Sequence, residues 1–248
     1  MDRDAGAAER LILALDTPTV ADARTLVGRL DGAVSFYKIG LELALAGGLD
    51  LAGELIAAGR RVFLDLKFLD IGNTVERAVA QAADLGVTCL TVHGHDTKTL
   101  QAAVRGRGAS QTRLLAVTVL TSLDGADLAE QGIRDGLTPG DLVTHRAGLA
   151  QARGFDGVIA SGQEAGRLRA VVGGDFLIVT PGIRLADAES DDQVRVVTPE
   201  RAIADGADYL VVGRPITAAA DPAAAAERFI AAIGAGLAHR GLTSRAAS

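Results

Sequence analysis

Tryptophan is absent from this 248-residue chain, and aromatic residues make up only 3% of it. Single-stranded nucleic acid is gripped by aromatic stacking, and any nucleic acid by basic surface. With few aromatics and a net charge of −6, the chain favours neither, so no nucleic-acid partner is expected. Cysteine is nearly missing: Cys89 is the only one. No internal disulfide can form, and a reducing, cytoplasmic setting is the simple expectation. No run of about 18 apolar residues occurs, so no membrane span is expected. The apolar run Leu11–Leu15 is too short for a signal peptide. Also missing are a GxxxxGK(S/T) phosphate loop, a GxGxxG turn after a strand and a GxSxG nucleophile elbow. These gaps favour chemistry without a cofactor.

What is present is a rhythm. Short apolar runs recur at 11–16 (LILALD), 34–40 (VSFYKIG), 61–67 (RVFLDLK), 88–94 (TCLTVHG), 114–121 (LLAVTVLT), 157–162 (GVIASG), 176–182 (FLIVTPG) and 209–215 (YLVVGRP). Each is rich in Val, Ile and Leu, as a strand covered on both faces requires. Amphipathic stretches lie between them: Val20, Ala23, Val27 and Leu30 share one helical face. Thr198-Pro199-Glu200 reads as a helix start, and Asp141 and Asp96 as caps of two other helices. Eight strand–helix repeats with no linker predict a single (β/α)8 TIM barrel over residues 1–248, with 1–10 and 239–248 as frayed termini. An open doubly wound sheet is the competing architecture.

In such barrels the chemistry sits at the C-terminal ends of the strands. The unexpected polar residues collect there: Asp16, Lys38, Asp65, Lys67, His93, Thr121, Ser161, Arg184 and Arg214. Within 61–67, Phe63, Asp65 and Lys67 share one strand face and Leu64 and Leu66 the other. With the leucines under helices, Asp65 and Lys67 point into the barrel mouth, and Asp70 lies just beyond. Opposite charges about 4 Å apart attract by about 4 kcal/mol at an effective dielectric near 20. An alternating set of Lys38, Asp65, Lys67 and Asp70 can therefore hold itself together. A salt-bridge network that merely closes the barrel is the competing reading, and it is a poor use of buried space. Gly213-Arg214 after the last strand suits a phosphate, because glycine admits backbone N–H groups and arginine adds a fork. The polar loop of residues 181–196 could close as a lid. Cys89, His93 and His95 recur at period two, but no fourth ligand accompanies them, so no metal is expected.

These residues resemble the orotidine 5′-phosphate decarboxylase family, bacterial type, from about Leu11 to Ile233. The pattern D-x-K-x-x-D-I-x-x-T falls on Asp65, Lys67, Asp70, Ile71 and Thr74. It is joined by LALD at Asp16, YKIG at Lys38, LTS at Thr121, PGIR at Arg184, DDQ at Gln193 and VVGRPIT at Gly213-Arg214. The resemblance implies cofactor-free, metal-free conversion of orotidine 5′-monophosphate (OMP) to UMP in pyrimidine biosynthesis. It implies that Lys67 donates the proton to C6 and that Asp65 faces the substrate carboxylate. Lys38 and Asp16 would bind the ribose hydroxyls and brace the array, and Thr121 would touch the pyrimidine. Arg184, Gln193, Gly213 and Arg214 would surround the phosphate. Asp70, Ile71 and Thr74 complete the implied site. Asp70 and Thr74 would act in the neighbouring subunit, in a homodimer. Leu69 stands where many members have His, Gly72 where many have Pro, and Gly162 where Pro or Ala is common. Related sugar-phosphate decarboxylases share D-x-K-x-x-D but use Mg2+. Thr121, Gln193 and the PGIR arginine favour the nucleotide.

Overall fold

A computed structural model describes residues 1, 5–133, 136–186 and 197–246, with side chains to 241. Every apolar run contains a strand: β1 (Leu11–Ala14), β2 (Phe36–Gly40), β3 (Arg61–Phe68), β4 (Cys89–His93), β5 (Arg113–Val117), β6 (Gly157–Ile159), β7 (Leu177–Thr180) and β8 (Tyr209–Val212). They pair in parallel, in chain order, and close into a barrel. The closing ladder runs from Leu11 opposite Leu210 to Leu13 opposite Val212. That ladder confirms the (β/α)8 barrel and excludes the open sheet, which would leave two edges unpaired.

The strands sort their side chains by parity. Leu11, Leu13, Ile39, Val62 and Leu64 face outward and pack beneath the helices. Ile12, Phe36, Phe63, Cys89, Leu115, Leu177 and Tyr209 fill the interior as a separate cluster. Phe36 and Tyr209 meet there edge to face, with centroids 6.1 Å apart. The bulky rings lie in the lower part of the barrel. Two residues further along each strand, the same parity brings Ala14, Lys38, Asp65 and Val211. The interior is thus packed below and hollow above, and the hollow end is the C-terminal rim.

Local capping explains the helix starts. Thr19 accepts a hydrogen bond from Asp22 N–H and opens helix Val20–Arg29. Asp96 accepts from Thr99 N–H and opens Thr97–Arg107, and Thr198 accepts from Arg201 N–H and opens Pro199–Ala204. The expectation for Asp141 needs correction. Thr138 is the N-cap of helix Pro139–Ala152, and Asp141 reaches back to it from the third position. Proline at the first helical position moves the start upstream.

At the opposite rim, charge ties strand starts together. Asp156 accepts from Arg107 and Arg113 at 2.7 and 2.8 Å. Asp208, fully buried, pairs with Arg169 and accepts Ile178 N–H at 2.9 Å. Within the stretches expected to fray, Arg10 is 3% exposed and donates to the Ala5 and Asp208 carbonyls, both at 2.9 Å. The last helix runs Pro222–Ala246. Among the described residues, no helix is long and apolar enough to cross a membrane.

Candidate active site

A cavity of about 470 Å3 opens at the C-terminal ends of the strands. Asp16, Lys38, Asp65, Lys67, Thr121, Arg184, Gly213 and Arg214 all line it. These residues come from both ends of the chain, and the closed barrel alone brings them together. Gln193 lies outside the described residues, as does most of the loop of residues 181–196.

The charged groups form a continuous chain across three neighbouring strands. The Lys38 ammonium lies 3.0 Å from Asp16 Oδ1 and 3.7 Å from Asp65 Oδ2. Lys67 Nζ lies 2.9 Å from Asp65 Oδ1. Lys38 is only 7% exposed, and a buried ammonium without carboxylate partners would be costly. The two lysines and two aspartates balance. Arg184 and Arg214 line the same cavity, where they can meet an anion that this balanced set does not itself attract. Gly40 ends β2 against this array, and a Cβ there would come within 2.9 Å of Lys38 Nζ.

β3 reaches the array by breaking its own regularity. Leu64 pairs with Leu90, but the next partners are Phe68 and Val92, so β3 carries extra residues where Asp65 and Lys67 sit. Lys67 has φ of +51°, the one positive value at a non-glycine position among the described residues. Such bulges re-aim side chains beside functional sites.

Asp70, Ile71 and Thr74 are not brought to this cavity. Asp70 Oδ1 accepts the Ile71 N–H at 2.6 Å where helix Gly72–Asp84 begins. Asp70 and Ile71 line a separate shallow groove with Leu69, Asp96 and Lys98, and Ile71 is 74% exposed. Thr74 is exposed on the helix.

The histidines do not behave as a zinc site. Their rings stack, with centroids 4.6 Å apart, while Cys89 belongs to the interior cluster below. Burial, then the nearby His95, Lys67 and Arg146, hold His93 down at about 4. Among the described residues no group of three His, Cys, Asp or Glu is placed to hold a metal ion.

Residues 9–229 match the model of the orotidine 5′-phosphate decarboxylase / HUMPS family. The chain belongs to this family. It is 56% identical over 224 residues to orotidine 5′-phosphate decarboxylase of Rhodopseudomonas palustris strain BisA53, covering 90% of this chain and 94% of the relative. It is also 56% identical over 223 residues to that of Methylobacterium radiotolerans, covering 90% and 95%. The crystal structure of orotidine 5′-phosphate decarboxylase from Lactobacillus acidophilus superposes with a TM-score of 0.79 at 36% identity, covering 91% of this chain and 99% of that one.

The departures from the family pattern have different standing in the structure. At Gly162 a Cβ would come within 2.9 Å of Val197, so the close approach of Val197 favours glycine there. At Gly72 the nearest contact would be Ala102 Cβ at 3.6 Å, an ordinary distance, and nothing in the packing demands glycine. Leu69 is 51% exposed. Sequence reasoning missed Thr91 and Glu42, as well as the apolar wall of Val117, Leu120, Ile159 and Val211. Thr91 lies between Cys89 and His93 on the same strand parity, which was the available signal.

Proposed function

We propose that this chain decarboxylates orotidine 5′-monophosphate to UMP in the cytoplasm, as a step of pyrimidine biosynthesis. The observation that carries the reading is the Lys38–Asp65–Lys67 array sharing one cavity with two arginines. The substrate has matching ends, a carboxylate on the ring and a phosphate on the ribose.

The C6–carboxylate bond breaks, CO2 leaves, and the electron pair stays on C6 in the ring plane. No ring orbital delocalises that pair, so a nearby cation must stabilise it. Lys67 supplies the ammonium and then passes its proton to C6, giving UMP and a neutral amine that solvent reprotonates. Asp65 holds Lys67 at 2.9 Å and repels the substrate carboxylate until CO2 departs. Lys38 and Asp16 bind ribose hydroxyls, and Thr121 touches the pyrimidine. Arg184, Gln193, Arg214 and the backbone at Gly213 take the phosphate. Their binding energy, remote from C6, holds the charged site assembled around the reacting bond. The proton and charge balance closes on these side chains, so the scheme needs no cofactor or metal.

The active unit is a homodimer in which Asp70 and Thr74 serve the neighbour's cavity. Their exclusion from their own cavity supports this, and so do exposed apolar side chains. Leu41, Leu45 and Leu49 after β2, and Leu69 and Ile71 after β3, are between 46% and 89% exposed. Such a collection beside a rim suits a protein contact.

The test is absorbance-monitored conversion of OMP in the presence and absence of EDTA. Equal conversion in both is expected. No conversion overturns the reading, and conversion that is lost on chelation overturns its metal-free scheme.

A further inference from the structure

We infer that Thr91 is a positioning residue that sets the geometry between Asp65 and Lys67. Its hydroxyl donates to Asp65 Oδ1 at 2.9 Å and accepts the backbone N–H of Lys67, also at 2.9 Å. One side chain on β4 thereby holds both functional residues of β3. Thr91 is fully buried, so its hydroxyl has no water to turn to.

The need for such a clamp follows from the bulge. In an unbroken ladder the alternation that sends Arg61 N–H to Ser35 on the β2 side, and Val62 C=O to Thr88 on the β4 side, would turn the Lys67 N–H toward β2, beyond its last paired residue, Gly40. The ladder skips from Leu64–Leu90 to Phe68–Val92, and the Thr91 side chain takes this N–H instead. The same contact braces a backbone conformation that a long side chain rarely adopts, φ +51° at Lys67. The donated proton meanwhile occupies the oxygen of Asp65 that also receives the Lys67 ammonium. The carboxylate is thus fixed in rotation, with Oδ2 left toward Lys38. A serine or threonine can do both things at once, because a hydroxyl gives one hydrogen and keeps lone pairs. Valine has the same shape and can do neither.

The inference rests on the decarboxylase reading, and its test separates the two. Thr91→Val and Thr91→Ser are compared with the parent for kcat, KM and UMP affinity. Thr91→Val is expected to lower kcat by about 10- to 100-fold, the span of one hydrogen bond to a charged group. UMP affinity should stay within about threefold, because the phosphate and ribose contacts are elsewhere, and Thr91→Ser should keep most of the parent kcat. If Thr91→Val does not fold, Thr91→Cys replaces it: the thiol is a poor donor of nearly the right size, and its kcat should fall well below that of Thr91→Ser. Parent-like kcat in Thr91→Val overturns the inference. So does an equal loss of kcat in the serine variant, or a loss of UMP affinity that matches the loss of kcat. A parent that does not decarboxylate OMP overturns the functional reading instead.

Discussion

The Lys38 ammonium stands where a β-carbon on Gly40 would have to go: the two would be 2.9 Å apart. Asp16 Oδ1 would be 3.4 Å from the same carbon. Gly40 has an extended backbone that any residue can adopt, so alanine strains nothing except the array. Gly40→Ala should therefore fold, with a melting temperature within about 2 °C of the parent. Its kcat/KM should fall about 10- to 100-fold, because displacing one charged group by a fraction of an ångström disturbs the whole set. Steady-state kinetics beside a thermal melt check this; unchanged kinetics would show that Lys38 has slack.

Lys67→Ala removes the proposed proton donor and should abolish measurable turnover while UMP still binds, because the arginines and Asp16 remain. Asp70→Ala should also be nearly inactive. Mixing the two inactive chains under conditions that exchange subunits should restore up to about a quarter of parental activity, since one of the two shared sites in a mixed dimer then holds an intact set. No recovery, with exchange shown by native mass spectrometry, would place Asp70 in its own subunit's site.

Arg214→Ala should act mainly on binding. Hydrogen bonds to a charged group contribute about 1.5–3 kcal/mol, so the KM for OMP and the Kd for UMP should rise about 10- to 100-fold. A truncated substrate without its phosphate should lose little further in this variant. An unchanged KM would remove Arg214 from the phosphate site.

The depressed His93 predicts a pH effect on stability. Its folded value is about 4 against an ordinary 6.5, chiefly from burial. Between those values the unfolded chain binds a proton that the folded chain refuses, so stability falls as pH drops. The contribution is full above about pH 6.5 and is lost as pH falls toward 4. Urea midpoints between pH 7.5 and 5 should decline, with a slope of up to about 1 kcal/mol per pH unit from this group. His93→Gln should flatten part of that slope. His95, which is also held low by burial and Arg146, accounts for a further part.

The barrel is legible in the sequence because its strands are covered on both faces, so the apolar runs stand out from the amphipathic helices between them. Asp65 and Lys67 are legible for the opposite reason: charge in such a run needs an explanation, and parity gives it a direction. Thr91 is harder to see. Threonine is an ordinary strand residue, and its role depends on a bulge in the neighbouring strand, which only register reveals. The Asp141 cap shifts for a similar reason. Both Thr138 and Asp141 can cap, and backbone position decides between them. Asp70 and Thr74 carry no local signal of whose cavity they serve, because in the proposed dimer a second copy of the chain decides it.

The seam between β1 and β8 joins segments about two hundred positions apart, Leu11 to Leu210. Asp16 hangs over one side of that seam and Gly213 and Arg214 over the other, with a β-carbon on Gly213 only 3.5 Å from Asp16 Oδ2. On the proposed function, a nucleotide gripped by both sides would act as a removable staple across the joint where the two ends of the fold meet. Occupancy should therefore slow the opening of this seam more than the opening of any other pair of strands. Hydrogen exchange at Leu13 and Val212 would record that protection.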